Sequence, residues 1–230
     1  MALTIGLANC EVTTRQGVNF EVSTHRLPLY RKALEFVDRA AQYRQIASEI
    51  TRGATSDRER AIRVFDWTIK HIRPTPAGWP VVDDHILHII IRGHGLNDQR
   101  SDVFAMLATS AGLPAFWQKV RGPGTGDGLI LTFVRVDGRW AVADVANGFL
   151  FRNRGGDLAT AEELAADPSL LPGEAGALVT GATPYNRMFA GLRTPPIPRT
   201  LRAERQLPWP RLWYEIRRAI GREEDDGSQR

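Results

Sequence analysis

The chain has 230 residues, 43% hydrophobic and 24% charged, which is room for one sizeable core and excludes a chain too polar to fold. Its single cysteine, Cys10, excludes an intramolecular disulfide and a cysteine-rich zinc site and fits a reducing cytoplasm. The net charge of +4 and the pI of 9.6 come almost wholly from arginine, the only lysines being Lys32, Lys70 and Lys119, so basicity alone is thin ground for a nucleic-acid partner.

The opening "MALTIGLANC" lacks the basic start of a secretory leader. No stretch reaches the roughly 18 to 20 apolar residues of a spanning helix, and the chain reads as soluble and cytoplasmic. Residues 3 to about 24 alternate around Arg15-Gln16-Gly17 and predict a β-hairpin within an extension over 1–28. A core domain over 29–155 follows. Leu34, Val37, Ala41, Ile46 and Ile50 lie at helical intervals up to Gly53. Ser56 and Glu59 form a capping box before a second helix, whose stripe is Ala61, Val64, Phe65, Thr68 and Ile69. "RPTPAGWPVVDD" reads as a loop able to overhang a groove, and "HILHIII" as a buried strand or a buried helical turn. A helix after "RGHG" carries Val103, Phe104, Leu107 and Ala111 on one side. From Ala115 the period changes to two: "AFWQKVR" is a strand, "GPGTGDG" a mobile flap, and "LILTFVRV-DG-RWAVAD" a hairpin with an Asp-Gly turn. The order of helices and antiparallel strands predicts an α+β fold. Beyond 155 the composition shifts to Ala, Gly, Pro and Arg. Residues 156–222 read as a wrapping extension ending in the basic amphipathic helix "WPRLWYEIRRAIG", and 223–230 as a solvated, disordered tail.

Four pieces stand in order between Ser56 and Phe151: "GLNDQRSDVFAML", "GLPAF", "LILTFVRVDGRW" and "AVADVANG". Each is weak alone, but their order and separations resemble the transglutaminase-like superfamily, the papain-related cysteine enzymes. The resemblance implies a central helix packed on an antiparallel sheet and a Cys–His–Asp triad. Asn97, fifteen positions before Gly112, occupies the place of the cysteine. Leu129, eleven before Trp140, occupies the place of the histidine, and no histidine follows His94. Asp144 matches the aspartate. The form "RGHG–DQRSDVFA" looks most like bacterial transglutaminase-like proteins, some tied to surface-polysaccharide or secondary-metabolite pathways.

Acyl transfer of this type needs a thiolate, favoured by a helix N-terminus and an imidazolium, and a histidine to protonate the leaving group. An asparagine amide is not a useful nucleophile, and a leucine moves no protons. Asn97 reads as an N-cap accepting from the N–H of Gln99 or Arg100, or else as a polar ligand contact. Asp144 reads as a carboxylate satisfied by backbone donors or an arginine, or as an acid/base group in a reshaped pocket. His94, Gln99, Arg100, Asp127 and Trp140 are candidates for lining a groove, with Asp98 there or simply answering the helix dipole. His85 and His88, after Asp83 and Asp84, lack a clear third ligand, so no metal and no cofactor are assigned. Cys10 reads as a small buried hydrophobe. Leu212, Trp213 and Ile216 read as a stripe docked on the domain, or as one meeting a partner or an anionic membrane.

The leading expectation is a pseudoenzyme that keeps the fold and acts by binding a small molecule, peptide or partner protein, as a scaffold, regulator or accessory to a bacterial biosynthetic enzyme. The alternative is a repurposed enzyme using His94, Asp127 or Asp144 on a natural-product or sugar intermediate, since positioning alone can accelerate a reaction. Nucleic-acid binding rests on pI alone and is not favoured.

Overall fold

A two-residue turn at Asn19 and Phe20, both at positive φ (50° and 68°), joins β1 (Glu11–Val18) to β2 (Glu21–Pro28). The turn therefore lies beyond Gly17 rather than around it, and Cys10 is exposed, not buried. The structure is a computed structural model that describes residues 10–83, 85–121, 128–172 and 185–219. β1 also pairs with the short β4 (Val82–Asp83), and Asn19 exchanges hydrogen bonds with Val81 through its backbone N–H and its side-chain Oδ1.

β2 runs directly into α1 (Leu29–Ile50). The buried side of α1 is Ala40, Tyr43 and Ala47, with Ile46 and Ile50 beside them, while Leu34, Val37 and Ala41 face solvent. The apolar spacing is helical, but its first half marks a face that leaves the core alongside the hairpin. In α2 (Asp57–His71) the Ser56 hydroxyl accepts the Glu59 N–H, and the Glu59 carboxylate reaches the Thr55 N–H rather than that of Ser56. Ala61, Val64, Phe65 and Thr68 are buried along it. After β3 (Arg73–Pro74) the apolar "HILHIII" resolves as a helix, α3 (Ile86–Arg92), stopped by Gly93 at φ 71°. β5 (His94–Gly95) pairs in parallel with β3.

The central element is α4 (Asn97–Ser110), and every residue from Gln99 to Ala108 is buried. It has no solvent face, so the one-sided stripe read from the sequence understates its burial. Its neighbours are α1, α2 and α3 on one side and the antiparallel sheet β6-β7-β8-β9 on the other. The sheet comprises β6 (Ala115–Arg121), β7 (Gly128–Val136), β8 (Arg139–Asp144) and β9 (Phe149–Leu150). Asp137 and Gly138, both at positive φ, make the two-residue turn between β7 and β8. This is an α+β fold.

The sheet's two faces feed two apolar clusters. Val134, Val136, Ala141 and Ala143 pack with α4. Leu129, Leu131, Phe133 and Val142 turn the other way, toward α5 (Ala161–Ala166), α6 (Tyr185–Phe189) and the irregular run to Leu201. The chain closes with α7 (Pro208–Ala219), which docks through Tyr214, buried and flanked by Arg205 and Arg211 over its ring. Leu212, Trp213 and Ile216 are exposed, so the face read as docked is the free one.

Burying α4 whole leaves its charged and amide side chains to find partners inside, while the hydroxyls of Ser101, Thr109 and Ser110 are buried without one. Asp102 accepts from the Trp117 indole N–H at 2.7 Å and pairs with Arg202 at 2.8 Å, tying the C-terminal run to the helix. Burial pushes the Asp102 carboxyl up to about 6, against Arg202 and Trp117, which favour its charged form; Asp98 and Asp83 add to the rise. A carboxyl held above its unfolded value supports the fold while protonated, and that support is lost as pH rises through the folded value. Relative to Asp102→Asn, the wild type is therefore expected to lose on the order of 2 kcal/mol between about pH 4 and about pH 6, with no further relative change above pH 7, read from denaturant midpoints.

Candidate functional site

The three positions predicted from the sequence lie on three elements: Asn97 at the start of α4, Leu129 in β7 and Asp144 at the end of β8. Leu96 is the N-cap of α4 and Asn97 its first helical residue, with an exposed side chain. This corrects the expectation that Asn97 caps the helix. The Leu96 N–H is instead satisfied by the Gln99 side chain, at 3.0 Å from Oε1, and Asp98 accepts from the Gln99 N–H.

Gln99 and Arg100 are also turned inward, not toward a groove. Gln99 donates from Nε2 to the Val82 carbonyl at 2.7 Å and accepts from Arg92. Gly95 fits tightly here: a Cβ on it would stand 3.0 Å from the Gln99 Cβ and 3.2 Å from the Ile89 Cγ2. Arg100, 4% exposed, donates from Nε to the Ile72 carbonyl at 3.0 Å and from Nη1 to the Ala146 carbonyl at 2.9 Å. Burial lowers its pKa and the charge of nearby Asp144 opposes that. These two carbonyl contacts join the end of α2 and the turn after β8 to the start of α4.

Asp144 is fully buried, and three donors surround its carboxylate. The Asn147 backbone N–H lies 3.0 Å from Oδ1, the Asn147 side-chain amide 2.8 Å from Oδ2, and the Tyr185 hydroxyl 2.5 Å from Oδ2. Burial, then the charge and hydrogen bond of Asp144, hold the Tyr185 phenol far above its usual pKa, so it acts as a fixed donor. Leu129 pairs with Val120 in β6 and sits in the same apolar cluster as Tyr185, Met188 and Phe189. The pairing of Thr132 with Ala143, carried one step further, sets Leu131 opposite Asp144, which puts Leu129 and Asp144 on one face of the sheet. That face is covered by α6.

His94 and Trp140 have surroundings of their own. His94 is half-buried, its Nδ1 3.4 Å from the Thr75 hydroxyl, with the Trp79 ring edge-on at 5.2 Å. Trp140 packs edge-to-face on Phe116 at 5.2 Å. Asp127 and most of the glycine-rich flap lie outside the described residues, as does Asp84. The His85 and His88 rings stand 5.8 Å apart, and no group of three metal-binding side chains occurs among the described residues. Two surface concavities, one lined by Arg58, Asp137, Arg139 and Asp157 and one at the β1–β2 turn, include none of residues 97, 129 and 144.

Residues 44–145, which hold the central helix and the strands up to Asp144, match the sequence profile of the transglutaminase-like superfamily. They form a transglutaminase-like core. Solved structures with a similar course include a candidate protease from Parabacteroides distasonis (16% identity, TM-score 0.38, 52% of this chain and 28% of that one). A candidate cysteine protease from Cytophaga hutchinsonii (10%, 0.40, 60% and 53%) and a TGase (12%, 0.37, 66% and 48%) are two more. The chain spans about half or less of each of these proteins. No curated protein matches it. No helix among the described residues is long and apolar enough to cross a membrane.

Outside the transglutaminase-like core, sequence reasoning missed Tyr185 and Arg202, which sit beyond the composition shift with no spacing that ties them to Asp144 or Asp102. Asn147 was legible: an Asp followed three residues later by Asn before Gly148 is a side-chain-closed turn. Removing the phenolic donor leaves a buried carboxylate one hydrogen bond short. Tyr185→Phe is expected to cost about 1–3 kcal/mol. Adding Asp144→Asn should cost less than the sum of the two single changes in a double-mutant cycle.

Proposed function

We propose that this protein is a transglutaminase-like pseudoenzyme that acts by binding, as a scaffold or accessory protein in a bacterial biosynthetic pathway. The observation that carries this reading is the state of Asp144. In the family chemistry its counterpart orients a histidine; here its carboxylate is buried and taken up by Tyr185 and Asn147. Leu129, at the position assigned to the histidine, is 3% exposed within an apolar cluster. Asn97, at the position assigned to the cysteine, offers an amide with no lone pair basic enough to attack a carbonyl. A proton shuttle and a thiolate are thus both wanting, and the lone thiol, Cys10, is exposed just before the first strand.

Replacing an activated thiol by asparagine also removes a group whose reactivity costs stability. The binding role is supported by what stays exposed at the helix start, namely Asn97 with half-buried His94 and Asp98, beside the Trp79 loop. These groups can hydrogen-bond and stack without reacting.

The test is turnover of peptide amide, ester and amine-acceptor substrates by the intact chain. No activity sensitive to thiol alkylation or to Cys10→Ser is expected. Asn97→Cys alone should gain none, because a leucine, Leu129, stands at the position assigned to the histidine. Activity abolished by Asn97→Ala would overturn the reading, and so would a pH-dependent activity abolished by His94→Ala.

A further inference from the structure

The C-terminal run is chemically unlike the rest of the chain. Residues 185–219 hold eight arginines, no lysine and two acidic residues, Glu204 and Glu215. Their net charge of +6 exceeds the +4 of the whole protein and leaves the remainder at −2. Arg187, Arg193 and Arg199 are exposed. This run ends in α7, where Trp209, Leu212, Trp213 and Ile216 follow the i, i+3, i+4, i+7 spacing that puts them on one stripe. Their exposures are 71%, 48%, 59% and 40%. The helix is meanwhile held by a different side, through buried Tyr214 and an Arg217 hydrogen bond to Thr200 at 2.9 Å.

We infer that α7 seats the protein on an anionic phospholipid surface. Burying two tryptophans, a leucine and an isoleucine is worth several times thermal energy, and leaving them in water needs a compensating use. A membrane interface suits this stripe better than a second copy, because two runs of charge +6 repel when brought face to face. It suits a convex row of side chains better than a protein groove, since a planar interface requires no matching shape. Tryptophan rings settle at the level of the headgroups with the indole N–H toward water, and the exposed arginines of the same run can meet lipid phosphates. A free helix of twelve residues would be marginal in water and would have to fold on arrival. Here Tyr214 holds it folded beforehand, which removes that cost from binding.

The experiment is co-sedimentation of the full chain with phosphatidylcholine vesicles, with and without about 30% phosphatidylglycerol, alongside tryptophan emission. Binding to the anionic vesicles, a blue shift on binding and weak binding to neutral vesicles are expected. Trp209→Ser with Trp213→Ser should lower partitioning about tenfold or more while leaving the circular dichroism unchanged. Arg187→Gln, Arg193→Gln and Arg199→Gln together should lower it specifically on anionic vesicles. No binding, equal binding to both vesicle types, or full binding by the double tryptophan variant would overturn the inference. A stable dimer dispersed by the tryptophan changes would overturn it too, by giving the stripe to a second copy.

Discussion

A helix buried on every side carries four consecutive polar residues, Gln99, Arg100, Ser101 and Asp102, and the surrounding chain meets three of them, leaving only the Ser101 hydroxyl without a partner. Each buried polar atom without a partner costs on the order of 1–3 kcal/mol. Gln99 takes its partners from β4 and α3, Arg100 from the end of α2 and the turn after β8, and Asp102 from β6 and the C-terminal run. Six separate parts of the chain are thereby fastened to one helix by hydrogen bonds that fix their relative positions. The apolar clusters supply most of the driving force, but they are tolerant of small slips. The inward polar groups are not.

The same demand bears on the chemistry. A transglutaminase-like active site requires a reactive group at the helix start, open to substrate, and a carboxylate free to hold an imidazole. In this chain the helix start spends its third and fourth polar side chains, Gln99 and Arg100, on structure, and the carboxylate at the end of β8 is closed by a tyrosine from α6.

How far this was readable from the sequence differs by element, for physical reasons. α2 was legible because a serine cap and a single buried stripe act locally, and the β7–β8 turn because Asp-Gly at positive φ has few alternatives. The resemblance to the transglutaminase-like fold rested on ordered local pieces and carried the fold class. Periodicity could not say which helical stripe meets the core. Leu34 and Val37 in α1 and Leu212, Trp213 and Ile216 in α7 are well spaced yet exposed, while Tyr43 and Tyr214 do the docking. Asn97 is a strong capping type, but Gln99 reaches back to the Leu96 N–H, a competition between side chains that spacing does not rank. The partners of Asp144 and Asp102 are long-range, 41 residues away at Tyr185 and 100 away at Arg202, where pattern reading has no purchase.

The pairing of the first hairpin with β4 carries a mechanical consequence. Val82 contributes its backbone to that pairing, and its carbonyl also receives Arg92 and the Gln99 amide. One peptide unit is therefore shared between a protruding two-stranded lever and the foundation of the buried helix. Local opening of the hairpin withdraws an acceptor from beneath Gln99, so the two regions breathe as a single cooperative unit rather than independently. Whatever grips the lever at Phe20 also has a hand on the helix start.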